Sequence, residues 1–273
     1  MPFRPIHESH AISEVIFGLV LARPLEWGER KRLHGAHSKW SAFLPKIRDE
    51  PGLAIAVLPP DPSEAPPPPS PPPLAFERYN PSGMLDWRLR TDGANITVNC
   101  LAYSLWDNVW PSTQRLFADI ADVLQDSSIA IRSLVLQYVD VFEQTDDSTT
   151  YDIESLINKN CPHLPKTALQ HGPLWHAHHG WFTHDDSPDG TRLLQRMHVN
   201  GLNAPEDKDK YIIRMEMLAR LDFLNEDDRL NLTPQSFDDQ LDRDFALLHE
   251  QSKKLLSVYL TDAACQEISL NAS

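Results

Sequence analysis

Residues 211–223 alternate between apolar and polar side chains with a period of two, and this pattern restricts the folds open to the chain more than any other. Successive side chains of a β-strand project from opposite faces, so the alternation predicts a strand with one buried face. The predicted buried face carries Tyr211, Ile213, Met215, Met217, Ala219, Leu221 and Phe223, and the other carries Arg214, Glu216, Arg220 and Asp222 together with Ile212 and Leu218. Antiparallel sheets commonly pack one face on helices and leave the other in water. The segment therefore predicts such a sheet.

The preceding strand-like segment, 191–200, has the same two-sided character. One side carries Arg192, Arg196, His198 and Asn200 with Leu194, and the other carries Leu193, Met197 and Val199. The polar sides of the two segments are expected to meet across neighbouring strands. The second half of the chain is thus predicted to present a shared polar surface.

Apolar periodicity and turn residues define the remaining elements. The first half predicts a strand, a helix, three strands and a helix, at 12–22, 25–48, 75–79, 85–90, 96–101 and 110–124. The second half predicts the same order, at 131–143, 151–159, 169–184, 191–201, 211–224 and from 233 onward. We therefore predict an α+β fold in which antiparallel sheets are covered by helices, as a duplicated βαβββα unit. The expected lobes are 1–128 and 129–273.

The predicted helices carry apolar stripes that face the core. In the long carboxy-terminal helix, Thr233 is the expected N-cap and Pro234 the first helical residue, a pair that suits the free amides of a helix start. The stripes consist of Leu33, Trp40, Phe43, Leu44 and Ile47 in the first helix, Leu116, Phe117, Ile120, Val123 and Leu124 in the second, and Phe237, Leu241, Phe245, Leu248, Leu255 and Tyr259 in the last.

Residues 59–73 hold ten of the 23 prolines of the chain. Proline has no amide hydrogen to donate, so this segment cannot lie inside a helix or a sheet. We interpret it as an extended insertion in the first lobe, most simply a surface loop. The alternative is a polyproline ligand for an aromatic groove on a partner, although no Lys or Arg flanks it to orient docking.

The charge and cysteine content exclude several classes of protein. Lys and Arg number 25 against 39 Asp and Glu, a formal net charge of −14, which argues against general binding of duplex DNA. The three cysteines are widely spaced and include no CxxC pair, so they predict a reducing cytoplasm rather than a disulfide framework or a thiolate zinc site. The amino end lacks the pattern of a signal peptide, and its apolar run is too short to span a membrane.

Short motifs near both ends and in the middle carry a family resemblance. They are PIHESHAISEVIFGLVL, with Pro5, Ile6 and Glu14; IRSLVLQYVDVFE; and FALLHEQSKKLLSVYLTD, with Leu248, His249, Glu250 and Tyr259. In these motifs the chain resembles a sporadically distributed bacterial family of unknown function. The resemblance implies a scattered accessory protein, of the kind found in mobile or conflict-related systems, with no established reaction.

A cationic surface is the first candidate site. Arginine guanidinium groups form paired hydrogen bonds with carboxylates and phosphates, so several arginines on one sheet face would suit an anionic ligand. The candidate ligand-binding residues are Arg192, Arg196, Arg214, Arg220 and His198. The simpler alternative is cross-strand pairing with Glu216 and Asp222 on a solvated face, worth about 0.2–1 kcal/mol per pair.

A metal site is the second candidate. His176 and His178 lie two residues apart in a predicted strand, so both imidazoles would project from one face toward one divalent ion. His184, Asp185 or His198 would complete the ligand set. The alternative is that these histidines are half-exposed strand residues beside Trp175 and Trp181.

The absence of familiar motifs narrows the function. The chain contains no glycine-rich phosphate loop and no GxSxG nucleophile turn. We predict a cytoplasmic, non-catalytic binding protein, accessory or regulatory, without a cofactor. It would recognise a partner protein or an anionic ligand, in a bacterial defence or mobile-element setting. The alternative is a metal-dependent hydrolase or nuclease-like enzyme built on His176 and His178, and self-association into a homo-oligomer stays open.

Overall fold

A computed structural model describes residues 2–49, 71–145, 151–165, 167–170, 172–183, 187–233 and 239–270. These residues form strands and helices in an order close to the predicted one. The strands are β1 (Phe3–Pro5), β2 (Ile12–Leu21), β3 (Lys46–Asp49), β4 (Leu74–Tyr79), β5 (Leu85–Asp92), β6 (Asn95–Cys100), β7 (Ala130–Gln144), β8 (Trp175–Thr183), β9 (Thr191–Asn203), β10 (Tyr211–Phe223) and β11 (Leu230–Asn231). The helices are α1 (Trp27–Gly35), α2 (Trp106–Leu124), α3 (Gln240–Tyr259) and α4 (Asp262–Glu267).

The strands form one sheet in the order β3-β4-β5-β6-β2-β7-β10-β9-β8, with β1 and β11 paired to β7. The pairs between described strands are antiparallel, as predicted. In each half the last strand of the three-strand meander returns to pair with the first strand of that half. Pairing of β2 with β7 joins the halves, so both predicted lobes contribute to a single sheet. The duplicated unit stays a prediction.

The alternation in β10 separates a helix-covered face from an open face. Ile213, Met215 and Leu221 are fully buried, whereas Arg214 and Arg220 on the opposite face are partly exposed. Helix α3 packs against β7 and β10, and α1 packs against α2. The predicted core stripes of α2 and α3 are buried within the described residues except Val123, which is partly buried. Pro234 and Phe237 lie outside the described residues.

An aromatic cluster packs helices α2 and α3 against the centre of the sheet. The ring of Phe17 in β2 lies 5.7 Å from Trp110 in α2 and 5.8 Å from Phe245 in α3. Trp110 and Phe245 themselves lie 4.7 Å apart, and the Trp110 indole N–H donates to Asp242 Oδ1 at 2.6 Å. This cluster joins a strand and a helix of the first half to the long helix of the second half.

The predicted helix at 25–48 is too long. Helix α1 ends at Gly35, a 3-10 turn covers His37–Lys39, and the end of the predicted helix is strand β3. Ile47 pairs with Phe76 of β4 and is 37% exposed, so its predicted place in the core is wrong. The cause is pairing with a strand distant in sequence, which outweighs local helical periodicity. Leu33, Trp40 and Leu44 are buried as predicted, and Phe43 packs against the core.

Three elements in the second half also differ from the prediction. The predicted helix at 151–159 is reduced to a 3-10 turn at Ile153–Ser155, because the following residues pair with the end of α3. There the Asn158 amide donates to the Tyr259 carbonyl at 2.8 Å. The predicted strand at 169–184 begins only at Trp175, and α3 begins at Gln240 rather than near Thr233.

Three further predictions concern the cysteines, the proline-rich insertion and membrane-spanning segments. Cys100, Cys161 and Cys265 are free thiols. Residues 59–70 of the proline-rich insertion lie outside the described part of the chain, and the carbonyl of Pro72 accepts a hydrogen bond from Arg30 Nε at 2.8 Å. Among the described helices, none has the length and apolarity needed to cross a membrane.

Replacement of Phe245 by alanine is expected to destabilise the protein by about 3–5 kcal/mol, because it removes a buried ring from the aromatic cluster and leaves a cavity. Urea denaturation followed by circular dichroism measures the change in the free energy of unfolding. The matched control is Met84→Ala, at a side chain that is 65% exposed, which should change stability by less than about 0.5 kcal/mol. Equal effects of the two substitutions would contradict the assigned role of the cluster.

Candidate functional site

The open face of the sheet holds the predicted ligand-binding residues on two adjacent strands. In the pairing of β9 with β10, Arg192 faces Asp222, His198 faces Glu216 and Asn200 faces Arg214. In the pairing of β8 with β9, His178 faces His198. The polar sides of these strands therefore meet, but their charged residues separate into two groups along the strands.

Asp222 organises the first group. Its carboxylate accepts hydrogen bonds from Arg220 Nη2 at 2.9 Å, from Ser133 Oγ at 2.8 Å and from Arg192 Nη2 at 3.3 Å. Burial opposes ionisation of this carboxyl, but these donors and the positive charge of Arg220 keep the pKa of Asp222 below its ordinary value. Asp222 is thus a charged anchor that holds two arginine side chains at the end of β10.

A cleft of about 500 Å³ opens beside this anchor. It is lined by four arginines, Arg132, Arg192, Arg220 and Arg229, and Asp222 is the one acidic residue among the described residues of its lining. Its other lining residues are Val20, Asn95, Ser133, Phe223 and Leu224. Sequence reasoning found Arg192 and Arg220 but missed Arg132 and Arg229, because the cleft is assembled from distant segments of both halves.

Local irregularities place the two missed arginines. The register between β2 and β7 shifts between Val20 and Leu21, which leaves Arg132 as an extra residue in β7. Such a bulge redirects a side chain relative to the regular alternation. Arg229 directly precedes β11, and Leu230 of that strand pairs with Ile131 of β7, next to the bulge. The bulge and the pairing of β11 with β7 thus place Arg132 and Arg229 at the same end of the sheet.

A glycine fits the turn that carries Arg229. Gly190 has a φ of +75°, and a Cβ at this position would lie 2.4 Å from Asp228 Oδ2. The Asp228 carboxylate also accepts a hydrogen bond from Asn225 Nδ2 at 2.7 Å. Any side chain at position 190 would therefore strain the backbone there and displace the Asp228 carboxylate.

Several guanidinium donors in the cleft lack an acceptor in the part of the chain that the structure describes. The Nε atoms of Arg192 and Arg229 are buried and have no hydrogen-bond partner among the residues described. Arg132 makes no ion pair within that part of the chain, and Arg229 pairs at 3.2 Å with Glu226, whose side chain is largely exposed. Buried donors are normally satisfied in folded proteins, so the two buried Nε atoms suit oxygen atoms of a ligand or of water, and the exposed Arg132 is open to the same ligand. The Arg192 guanidinium also lies over the Phe182 ring, 4.4 Å from its centroid, which fixes its plane.

The other predicted ligand-binding residues lie away from the cleft. Arg214 is paired with Glu216, and His198 Nδ1 lies 3.9 Å from the same carboxylate. Arg214 and Glu216 belong to the same strand, so only the contact of His198 with Glu216 crosses between strands in this group. The Arg192–Asp222 pair beside the cleft also fits the cross-strand pairing that the sequence offered as the simpler alternative. Arg196 is half-buried, faces Leu218, and forms no ion pair with the described residues.

The predicted metal-binding histidines lie on the same open face. The rings of His178 and His198 are stacked with centroids 5.3 Å apart, and His176 lies 6.4 Å from His198. His184 and Asp185 lie outside the described residues, which contain no group of three or more His, Cys, Asp or Glu arranged to hold a metal ion. A site completed by His184 therefore stays a prediction.

Comparisons with known proteins do not indicate a function for this site. No protein-family model matches the chain, and no curated protein or solved structure shows significant similarity to it. Function is therefore inferred from the geometry of the site itself.

Replacement of Asp222 by asparagine is expected to destabilise the protein by about 1.5–3 kcal/mol at pH 7, because hydrogen bonds to a charged group are lost. The folded-state pKa of Asp222 is lowered, so its stabilising effect is complete above the unfolded pKa of about 3.9 and is lost as pH falls through the folded value. The difference between wild type and variant should therefore shrink toward pH 2.

Chemical denaturation of both proteins across this pH range tests the expectation. Asp92→Asn, at the more exposed pair of Arg90 with Asp92, is the matched control and should cost less than about 0.5 kcal/mol. A constant difference between wild type and Asp222→Asn down to pH 2 would show that the ionised carboxylate does not anchor the cleft.

Proposed function

We propose that the protein is a non-catalytic binding protein that recognises a small anionic ligand, bearing phosphate or carboxylate groups, in the arginine-lined cleft. The observation that supports this most directly is the convergence of Arg132, Arg192, Arg220 and Arg229 on one cleft, in which Asp222 is the one carboxylate among the described lining residues. Guanidinium groups bind phosphate and carboxylate oxygens through paired hydrogen bonds. Two of these arginines retain buried Nε donors without a partner in the described structure.

The charge of the cleft contrasts with that of the whole chain. The formal net charge of the chain is −14, so a cluster of arginines is not what its average composition would produce. Solvated faces ordinarily mix both signs, as the Arg214–Glu216 pair does on the same sheet. A positive cleft in an acidic protein favours a compact anion over an extended polyanion such as duplex DNA, which the surrounding negative charge would repel.

The shape of the cleft fits a small molecule. Its volume of about 500 Å³ lies within the range of small-molecule sites. The side chains of Val20 and Phe223 form an apolar part of the cleft wall, and the Asn95 side chain adds an amide group to it. The proposed ligand therefore carries an anionic group for the arginines and a smaller, less polar part for these walls.

The position of the cleft supports an accessory or regulatory role. Val20 and Asn95 come from the first half of the chain and the arginines from the second, so a ligand would contact both. We propose that the halves are copies of one βαβββα unit and that the ligand binds where they meet. Binding there would stabilise the junction of the lobes by mass action.

Binding of inorganic pyrophosphate and of citrate, measured by isothermal titration calorimetry, tests the proposal. The double variant Arg132→Gln, Arg229→Gln should weaken binding of these anions at least about tenfold, because each lost charged hydrogen bond contributes on the order of 1.5–3 kcal/mol. Both substitutions leave the Asp222 anchor intact, so the fold should be retained. Arg196→Gln is the matched control, since Arg196 lies on the same face outside the cleft.

The expected result is anion binding that weakens with rising salt, is at least about tenfold weaker in the double variant and is unchanged in Arg196→Gln. Equal loss in both variants would indicate a nonspecific charge effect and contradict the assignment. If an acidic peptide binds at this cleft and neither small anion does, the ligand is a protein partner and the small-molecule proposal is wrong.

A further inference from the structure

A second cavity lies on the helix-covered side of the sheet, remote from the arginine cleft. It has a volume of about 350 Å³ and is enclosed by the start of β2, the start of α2, strand β7, helix α3 and the carboxy-terminal turn. Most of its wall is apolar or aromatic, including Tyr103, Trp106, Met217, Leu256 and Ile268. Leu105, which is 64% exposed, marks its mouth. A cavity of this size and lining is typical of a small-molecule site.

A carboxyl group that has no partner among the described residues lies in this apolar wall. Asp140 occupies a core-facing position of β7 and is 1% exposed. Its Oδ2 atom is buried without a hydrogen bond, and its side chain forms no hydrogen bond or ion pair with any described residue. A buried carboxylate is costly unless a cation or several donors compensate it. The structure thus places an uncompensated acid against a cavity.

The described titratable neighbours of Asp140 do not supply a positive charge. The His249 ring stacks on Trp106 with centroids 4.1 Å apart, and its Nδ1 lies 2.8 Å from the hydroxyl of Tyr138. Burial lowers the pKa of His249 to about 4, and burial together with His7 lowers that of His10, so both imidazoles are neutral at pH 7. Tyr103 and Tyr138 are phenols whose pKa is raised by burial, so they are neutral as well.

The lysine in the cavity wall is paired with another acid. Lys253 lines the cavity, but its ammonium forms an ion pair with Glu250 at 3.1 Å. Burial raises the pKa of Asp140 itself to about 7, which reflects the absence of a compensating charge among the described residues. A ligand that brings its own positive charge would supply the missing partner.

We propose that this cavity is a binding site for a small apolar amine, whose ammonium group pairs with Asp140 and whose hydrocarbon or aromatic body packs against the aromatic wall. The ammonium would donate to the free carboxylate oxygens in a medium of low dielectric, where such a bond is strong. The rings of Tyr103 and Tyr138, which line the same cavity, supply the electron-rich aromatic surface that cations prefer. Anionic ligands are disfavoured here by Asp140, so the two sites select ligands of opposite charge.

Phenethylamine is the probe, with phenethyl alcohol and 3-phenylpropionate as neutral and anionic analogues of similar size. Isothermal titration calorimetry on the full chain at pH 8 should show that the amine binds at least about tenfold more tightly than either analogue, since only the amine pairs with the carboxylate. Asp140→Asn keeps the shape of the side chain and removes its charge. This variant should bind amine and alcohol equally.

Two further variants locate the bound amine. Ile268→Trp adds an indole at the cavity wall and should abolish binding of amine and alcohol alike, which places both in the cavity even if Asp140→Asn folds poorly. The cleft variant Arg132→Gln, Arg229→Gln should bind the amine as wild type does. The proposal is overturned if the wild type shows no amine binding at millimolar concentration, if the alcohol binds equally well, or if Asp140→Asn retains the preference for the amine.

Discussion

Pairing of β2 with β7 at the centre of the sheet is the contact on which the rest of the structure depends. It joins strands that begin more than a hundred residues apart and makes one sheet from two sets of strands. Phe17 on β2 then meets Trp110 and Phe245, so the same strand that joins the sheet also fixes the helices on one side. With all this apolar surface on one side, the opposite face is left for polar side chains.

The division of the sheet into two faces also separates two kinds of chemistry. On the open face, Asp222 gathers arginines whose remaining donors suit an anion. On the covered face, Asp140 lies among aromatic rings without a counter-charge from the described residues. Both carboxyls are almost fully buried, but their pKa values move in opposite directions, because among the described residues hydrogen-bond donors reach Asp222 and none reaches Asp140.

The irregularities of β7 matter more for the cleft than its regular pairing. Arg132 reaches the cleft through a bulge, and Arg229 reaches it through the short pairing of β11 with the same strand. Neither event leaves a periodic trace in the sequence, so alternation alone could not find these residues. Asp140 could be noticed in the sequence, because it lies on the same face of β7 as Leu136 and Phe142. A single acidic residue on an apolar face does not show, however, whether a cavity lies beside it.

Local patterns along the chain were enough to predict the α+β class, the strands of the two meanders, the buried stripes of α2 and α3, and which face of β10 is polar. These properties follow from the side-chain periods of two residues in strands and 3.6 residues in helices. Such periods are local and do not depend on which strands pair with each other. Long-range packing instead settled that the strands form one sheet, that 46–49 is an edge strand rather than a helix end, and which arginines meet. Those outcomes depend on contacts between distant residues, whose free energies outweigh local propensity and leave no mark in any short stretch of sequence.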